Sequence, residues 1–179
     1  MKATGIVRRI DDLGRIVIPK EIRKTMHIRE GAQLEIFTES DGAVIFRKYS
    51  PVGELSDHVD NYAETLAKIT GNAVVIADRD AIVATGGIKK DLLHRKIAPE
   101  TEKLIEGRKT YIYHIGEQRK KLCADEDKVY VGIVDPILQD GDTVGAIIML
   151  IPELGNAPTE AEVKVLSTAT LLLRRQMEA

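Results

Sequence analysis

At 179 residues the chain is long enough for one ordinary domain and a smaller one, and its composition, 44% hydrophobic and 30% charged, is that of a folded globular protein. Cys123 is the single cysteine, which excludes an intrachain disulfide. No apolar run approaches the roughly 18 residues of a membrane span and the N-terminus lacks a signal-peptide core, so a cytoplasmic protein with no membrane partner is expected.

The net charge of −2 hides an asymmetry. Residues 1–30 hold eight Lys and Arg against four Asp and Glu, a local +4, which leaves −6 for the rest. A basic lobe on an acidic chain points to a polyanion site confined to one module.

In chain order, residues 3–10 alternate loosely and are β-rich, and Asp11-Asp12-Leu13-Gly14 supplies turn residues. Arg15-Ile16-Val17-Ile18 is a second expected strand, stopped by Pro19 because proline cannot donate to a ladder. Lys20 to Met26 reads as a short helix. Gln33 to Glu39 alternates apolar and polar residues, Ser40-Asp41-Gly42 suits a tight turn, and Ala43 to Lys48 is the returning strand. Four strands and one helical turn in about fifty residues bury too little surface to stand alone. Residues 1–50 are therefore expected to be a dimerisation and binding module in which strands of two chains interleave.

Ser50-Pro51 opens a helix, with serine as N-cap and proline at the first helical position. Val52, Leu55, Val59, Tyr62, Leu66 and Ile69 follow at spacings of 3 and 4, a heptad-like seam over residues 51–71. Two readings stay open for it: a linker helix that pairs across a dimer, or packing onto its own domain. From residue 72 to 179 the expected order is a hairpin (Ala73–Ala77, Ala81–Thr85), helix over Asp91–Arg108 broken near Pro99, and a strand at Thr110–Ile115. A polar and mobile loop from Gly116 to Lys128 comes next, then strands at Val129–Val134, Pro136–Leu138 and Val144–Ile151. A closing helix starts at Thr159 with capping-box spacing to Glu162. The fold class is α+β. The closing helix is apolar on more than one face, which suggests a second dimer contact and, with the linker, a tetramer.

The candidate binding residues are Arg8, Arg9, Arg15, Lys20, Arg23, Lys24 and Lys2, guanidinium and ammonium groups on a small frame. No aromatics are interleaved with them, so duplex DNA held by backbone charge and read partly through shape fits better than a single strand. Simple alternation places Arg8 on the face of Ile6 and Ile10, which leaves Arg9 as a rival for that contact. The histidines His27, His58, His94 and His114 share no metal-ligand spacing, and Cys123 has no second cysteine to cycle with, so no metal, cofactor or catalytic set is expected. Asp125/Asp127 and Asp140/Asp142 read as loop and turn carboxylates.

The run Asp12-Leu13-Gly14-Arg15-Ile16-Val17-Ile18-Pro19-Lys20-Glu21-Ile22-Arg23 resembles the N-terminal DNA-binding module of the AbrB family of bacterial transition-state regulators. The resemblance implies a swapped-hairpin β dimer, with DNA contacts at the positions of Arg8, Arg15, Arg23 and Lys24. Family members often carry arginine at the last of these, and lysine keeps the charge without the bidentate fork, so phosphate contact is expected there. The later part resembles GAF-type sensory domains, through Tyr130 to Ile137 and Gly141 to Ile147. Members that join the two parts imply a regulator of late sporulation genes, both activator and repressor, with a small-molecule effector as a further partner. Two rivals belong to other classes: an antitoxin-like protein using the same N-terminal fold on a protein partner, and a GAF- or PAS-like enzyme.

Overall fold

The chain divides between Tyr49 and Ser50 into two units, in a computed structural model whose described residues are 4–26, 28–125 and 129–178. In the first unit Pro19 lends its carbonyl to the Arg23 N–H at 2.9 Å and opens helix α1, Lys20–Thr25. Strands β1 (Leu34–Thr38) and β2 (Val44–Lys48) form an antiparallel hairpin with Ile36 opposite Phe46. Gly42 turns it at φ 88°, and Asp41 Oδ1 accepts the Ala43 N–H at 2.9 Å.

The two strands expected before α1 do not form a ladder within one chain. Residues 4–10 and 15–19 flank the Asp11–Gly14 turn, whose base is closed by the Asp11 N–H donating to the Arg15 carbonyl, at 3.1 Å. The physical reason is a missing neighbour: a strand is defined by the ladder it joins, and β1 and β2 pair with each other. Ile6, Val7, Ile10, Leu13, Ile16 and Val17 are exposed in consequence, from 43% for Ile6 to 86% for Val7. Among the described residues of this unit only Pro19 is buried.

The second unit is built on a five-stranded antiparallel sheet in the order β4-β3-β7-β6-β5. Its strands are β3 (Val74–Asp78), β4 (Ile82–Gly86), β5 (Tyr111–Ile112), β6 (Val129–Gln139) and β7 (Asp142–Pro152). Period-2 alternation sends Ile76, Ile133, Ile147 and Met149 to one face and Val75, Val134, Ile148 and Leu150 to the other. The first face is covered by α3 (Ser56–Thr70) and α5 (Glu160–Met177), the second by α4 (Pro99–Glu106) and the segment around Leu122 and Cys123. A sheet covered on both faces reads as near-continuous apolar runs, as β7 does.

The helix expected over 51–71 is interrupted at Leu55. A short helix α2, Pro51–Glu54, precedes α3, and the Ser50 hydroxyl caps it by accepting the Gly53 N–H at 3.1 Å. Val52, Val59 and Leu66 of the seam are buried against this unit's own sheet, together with Ala63 and Ala67, while Ile69 is 62% exposed. The approach is backbone-close: a Cβ on Gly86 of β4 would lie 2.0 Å from the Ala63 carbonyl oxygen of α3. Gly71, at φ 70°, ends α3 as a left-handed cap.

Three further expectations are corrected. Residues 91–108 are not one broken helix: a 3-10 turn at Lys90–Leu92 is followed by extended chain beside β4 and then by α4, because Pro99 drives Ala98 out of helical geometry to ψ 144°. The two strands at 129–134 and 136–138 are one, β6. Pro136 is tolerated in it because β5 reaches only Ile133 and Val134, so no neighbour on that side needs its N–H. The polar segment 116–125 is anchored, with Leu122 and Cys123 fully buried and Lys121 bridged to Tyr130. Arg119 holds it from outside, stacked over Tyr113 at 4.8 Å and donating to the carbonyls of Pro152 and Gly155 at 3.1 and 3.0 Å. The Asp125/Asp127 pairing cannot be followed, since Asp127 lies outside the described residues; Asp125 instead meets Arg95 at 2.5 Å. The capping box at Thr159 and Glu162 forms as expected, with both reciprocal bonds present.

Candidate nucleic-acid interface

The turn at 11–14 is built by one carboxylate. Asp11 Oδ1 accepts the N–H groups of Leu13 and Arg15, at 3.1 and 2.8 Å, and Gly14 supplies the positive φ of 76° that closes the turn. The second oxygen, Oδ2, takes the Nε of Arg15 at 2.8 Å. The Arg15 N–H, and after it the guanidinium, hold the Asp11 carboxyl below the ordinary carboxylate range. Arg15 is thereby positioned through Nε while its side chain stays 70% exposed, which leaves the end of the guanidinium facing solvent.

Helix α1 supplies three more cations. Lys20 and Lys24 are four residues apart and Arg23 three from Lys20, so all three share a face. Lys20 and Lys24 are exposed and Arg23 is half-buried. Thr25 donates its hydroxyl to the Glu21 carbonyl at 2.9 Å, and Ile28 returns its N–H to the Arg23 carbonyl at 2.8 Å, which finishes the turn. Arg8 and Arg9 are both exposed on the segment before the turn. In one chain the alternation that set Arg8 beside Ile6 and Ile10 sorts nothing, because all three are in solvent. Lys2 and His27 lie outside the described residues.

Three cations of this unit, Arg29, Arg47 and Lys48, are not among the candidates read from the sequence. Arg47 on β2 lies 4.7 Å from the ring centroid of Phe37, across the hairpin register. Cross-strand neighbours are invisible until register is known. Among the described residues no group of three or more His, Cys, Asp and Glu side chains is placed to hold a metal ion, and no helix is long and apolar enough to cross a membrane.

A set of cations on a small frame, with a core left open, is the arrangement that comparison with known proteins places. The family of the stage V sporulation protein T C-terminal domain, described as a transcription factor, matches residues 54–178. The antidote-toxin recognition family MazE, bacterial antitoxins, matches residues 7–54. Over 179 residues, and 99% of both chains, the sequence is 43% identical to stage V sporulation protein T of Bacillus subtilis (strain 168). It is 39% identical over 102 residues to the transition state regulatory protein AbrB of the same organism, covering 54% of this chain and 98% of that one. Among solved structures, the GAF domain of an Acinetobacter phosphoenolpyruvate-protein phosphotransferase has a TM-score of 0.54 at 13% identity, covering 72% of this chain and 88% of that one, which shows the GAF fold. The chain accordingly belongs to the stage V sporulation protein T family of sporulation transcription factors, with an AbrB-like DNA-binding module followed by a GAF-fold unit.

Proposed function

We propose that the chain grips duplex DNA as a dimer through residues 1–50, using Arg15, Arg23 and Lys24 with Arg8 or Arg9, and Lys20 and Lys2 on the backbone, and that it both activates and represses late sporulation genes. The observation that carries the reading is the open core of the first unit. Five apolar residues of its two unpaired segments, with Leu13 of the turn, face solvent in the same unit as the cations, so a second chain that completes the ladder also doubles the cationic face. Two basic faces fixed in one dimer suit a duplex. The closing helix, whose Leu171 and Leu172 are exposed, joins two such dimers into a tetramer, and the GAF-fold unit takes a small-molecule effector. The protein works in the cytoplasm and catalyses nothing.

Fluorescence anisotropy on duplex DNA over a salt series tests this, comparing the natural chain with the double variant Arg15→Ala/Arg23→Ala. Each phosphate contact contributes about −0.9 to the log–log slope. Steep salt dependence that flattens in the variant supports the reading, and binding that is absent or unchanged overturns it. The match of residues 7–54 to an antitoxin family favours a second reading, in which the first unit covers a protein partner. Co-purification of a stoichiometric toxin with no DNA affinity would select it.

A further inference from the structure

The second unit is acidic, but not evenly. Residues 50–179 hold sixteen Lys and Arg against twenty-one Asp and Glu, a net −5. Residues 89–96, Lys-Lys-Asp-Leu-Leu-His-Arg-Lys, hold four of those bases and one acid, so the rest of the unit carries −8. The basic stretch is also tied to the sheet's edge by backbone hydrogen bonds. β4 is an edge strand, and this segment lies along it: the His94 N–H donates to the Ile82 carbonyl at 2.8 Å, the Ile82 N–H to the Arg95 carbonyl at 3.1 Å, and the Ile97 N–H to the Asp80 carbonyl at 3.0 Å.

Two turns fold the stretch up before it reaches β4. Leu93 donates to the Lys90 carbonyl and Arg95 to the Leu92 carbonyl, both at 3.1 Å, with His94 at φ 62°. Leu92 and Ile97 are buried under it and fix which side faces out. Arg95 is spent on Asp125. Lys89, Lys90 and Lys96 are left exposed on the outer side, and among the described residues none of the three is engaged in an ion pair.

We propose that Lys89, Lys90 and Lys96 are a second phosphate-contacting surface, carried by the GAF-fold unit, that meets the backbone of the duplex held by the N-terminal module. The proposal rests on the DNA-binding reading above. Three lysines on their own would bind a polyanion weakly. Covalent linkage to a module already on DNA makes the second contact intramolecular, at an effective concentration that weak contacts can exploit. The rest of the unit is on balance acidic, at −8, so this edge is a favourable one to present to a duplex. Lysines, as point charges on flexible stems, suit backbone contact without sequence readout.

The test is the salt dependence of full-length protein binding to a duplex several helical turns long, for the natural chain and for Lys89→Gln/Lys90→Gln/Lys96→Gln. A matched control, Lys68→Gln/Lys103→Gln/Lys109→Gln, removes the same charge from exposed positions elsewhere on the unit. Loss of about 0.9 from the slope magnitude for each contact, with affinity reduced on the order of tenfold at low salt, is expected for the first variant. The control should leave the slope where it was, and Lys→Arg at 89, 90 and 96 should restore binding. An unchanged slope in the first variant overturns the proposal while leaving the N-terminal site intact, and points to another partner for this edge. An equal effect in the control overturns it too, as a mere net-charge effect. Absence of salt-dependent binding by the natural chain overturns both this proposal and the DNA-binding reading, whereas loss confined to Arg15→Ala/Arg23→Ala sinks only the former.

Discussion

The two units solve the problem of burial in opposite ways. The GAF-fold unit closes its own core, with apolar residues packed on both faces of one sheet. The N-terminal unit has Pro19 as its single buried residue among those described, and leaves Ile6, Val7, Ile10 and Val17 in water. A sheet covered on both faces is stable at any concentration. A hairpin, a short helix and two unpaired segments leave apolar surface open, and if a second chain closes it, as proposed, their stability is counted per dimer. The proposed function follows the same division: the module assigned to DNA is the one whose core a second copy would complete.

The largest expected effect breaks that comparison directly. Ile148 is fully buried at the centre of β7, and Ile148→Ala should cost about 2–5 kcal/mol, independent of protein concentration. Ile16 is 45% exposed in one chain, and Ile16→Ala would cost little if the unit stood alone. Thermal melts of both variants over a wide concentration range separate the cases. A cost at Ile16 that grows on dilution places its side chain in a dimer core, and a cost that ignores concentration contradicts the open-core account.

Next in size is Gly86→Ala. The new Cβ would meet the Ala63 carbonyl oxygen at 2.0 Å and the Glu64 nitrogen at 2.6 Å, backbone atoms of a helix that cannot rotate away. Displacing α3 from β4 should cost about 1–3 kcal/mol or more, read as a lower midpoint in urea. If α3 were a free linker, the substitution would be silent. Smaller again is Thr159→Ala, which removes the capping box from α5 and should cost about 1 kcal/mol. Neither variant should alter the salt slope of DNA binding, because neither removes a proposed phosphate-contacting side chain.

What could be read from the sequence follows the same line. The β3–β4 hairpin, the two caps at Ser50 and Thr159 and the cations of α1 depend on neighbours a few residues apart, and local chemistry announced them. The segment from Gly116 to Lys128 looked like solvent-exposed loop because Glu117, Arg119, Lys120 and Lys121 dominate it. Leu122 and Cys123 alternate too briefly to show that they turn inward beneath α4. The seam at 52–69 carried the right spacing, but spacing does not say whose surface it meets; the small residues Ala63 and Gly86, which permit backbone approach, were the available sign. At the candidate site Arg15, Lys20, Arg23 and Lys24 were visible as a motif, whereas the Asp11 carboxylate that positions Arg15 looked like turn chemistry alone.

That carboxylate gives the smallest effect and the finest test of how the open unit prepares its site. Asp11→Asn keeps an oxygen for the N–H groups of Leu13 and Arg15 but removes the charge that holds the Arg15 Nε. The turn should survive, and DNA affinity should fall a few-fold as Arg15 loses its preset direction, with the salt slope unchanged because no phosphate contact is deleted. Acid should mimic the substitution. The folded carboxyl titrates below its unfolded counterpart, chiefly through the Arg15 N–H, so its contribution to the turn is complete above the ordinary carboxylate range and is lost as pH falls through the lowered value. An Asp11 carboxyl resonance that titrates in the ordinary range in nuclear magnetic resonance would remove the clamp. The opposite outcome in binding, an Asn variant that grips DNA more tightly, would mean that Asp11 restrains Arg15 from the phosphates and that the free arginine is the better ligand.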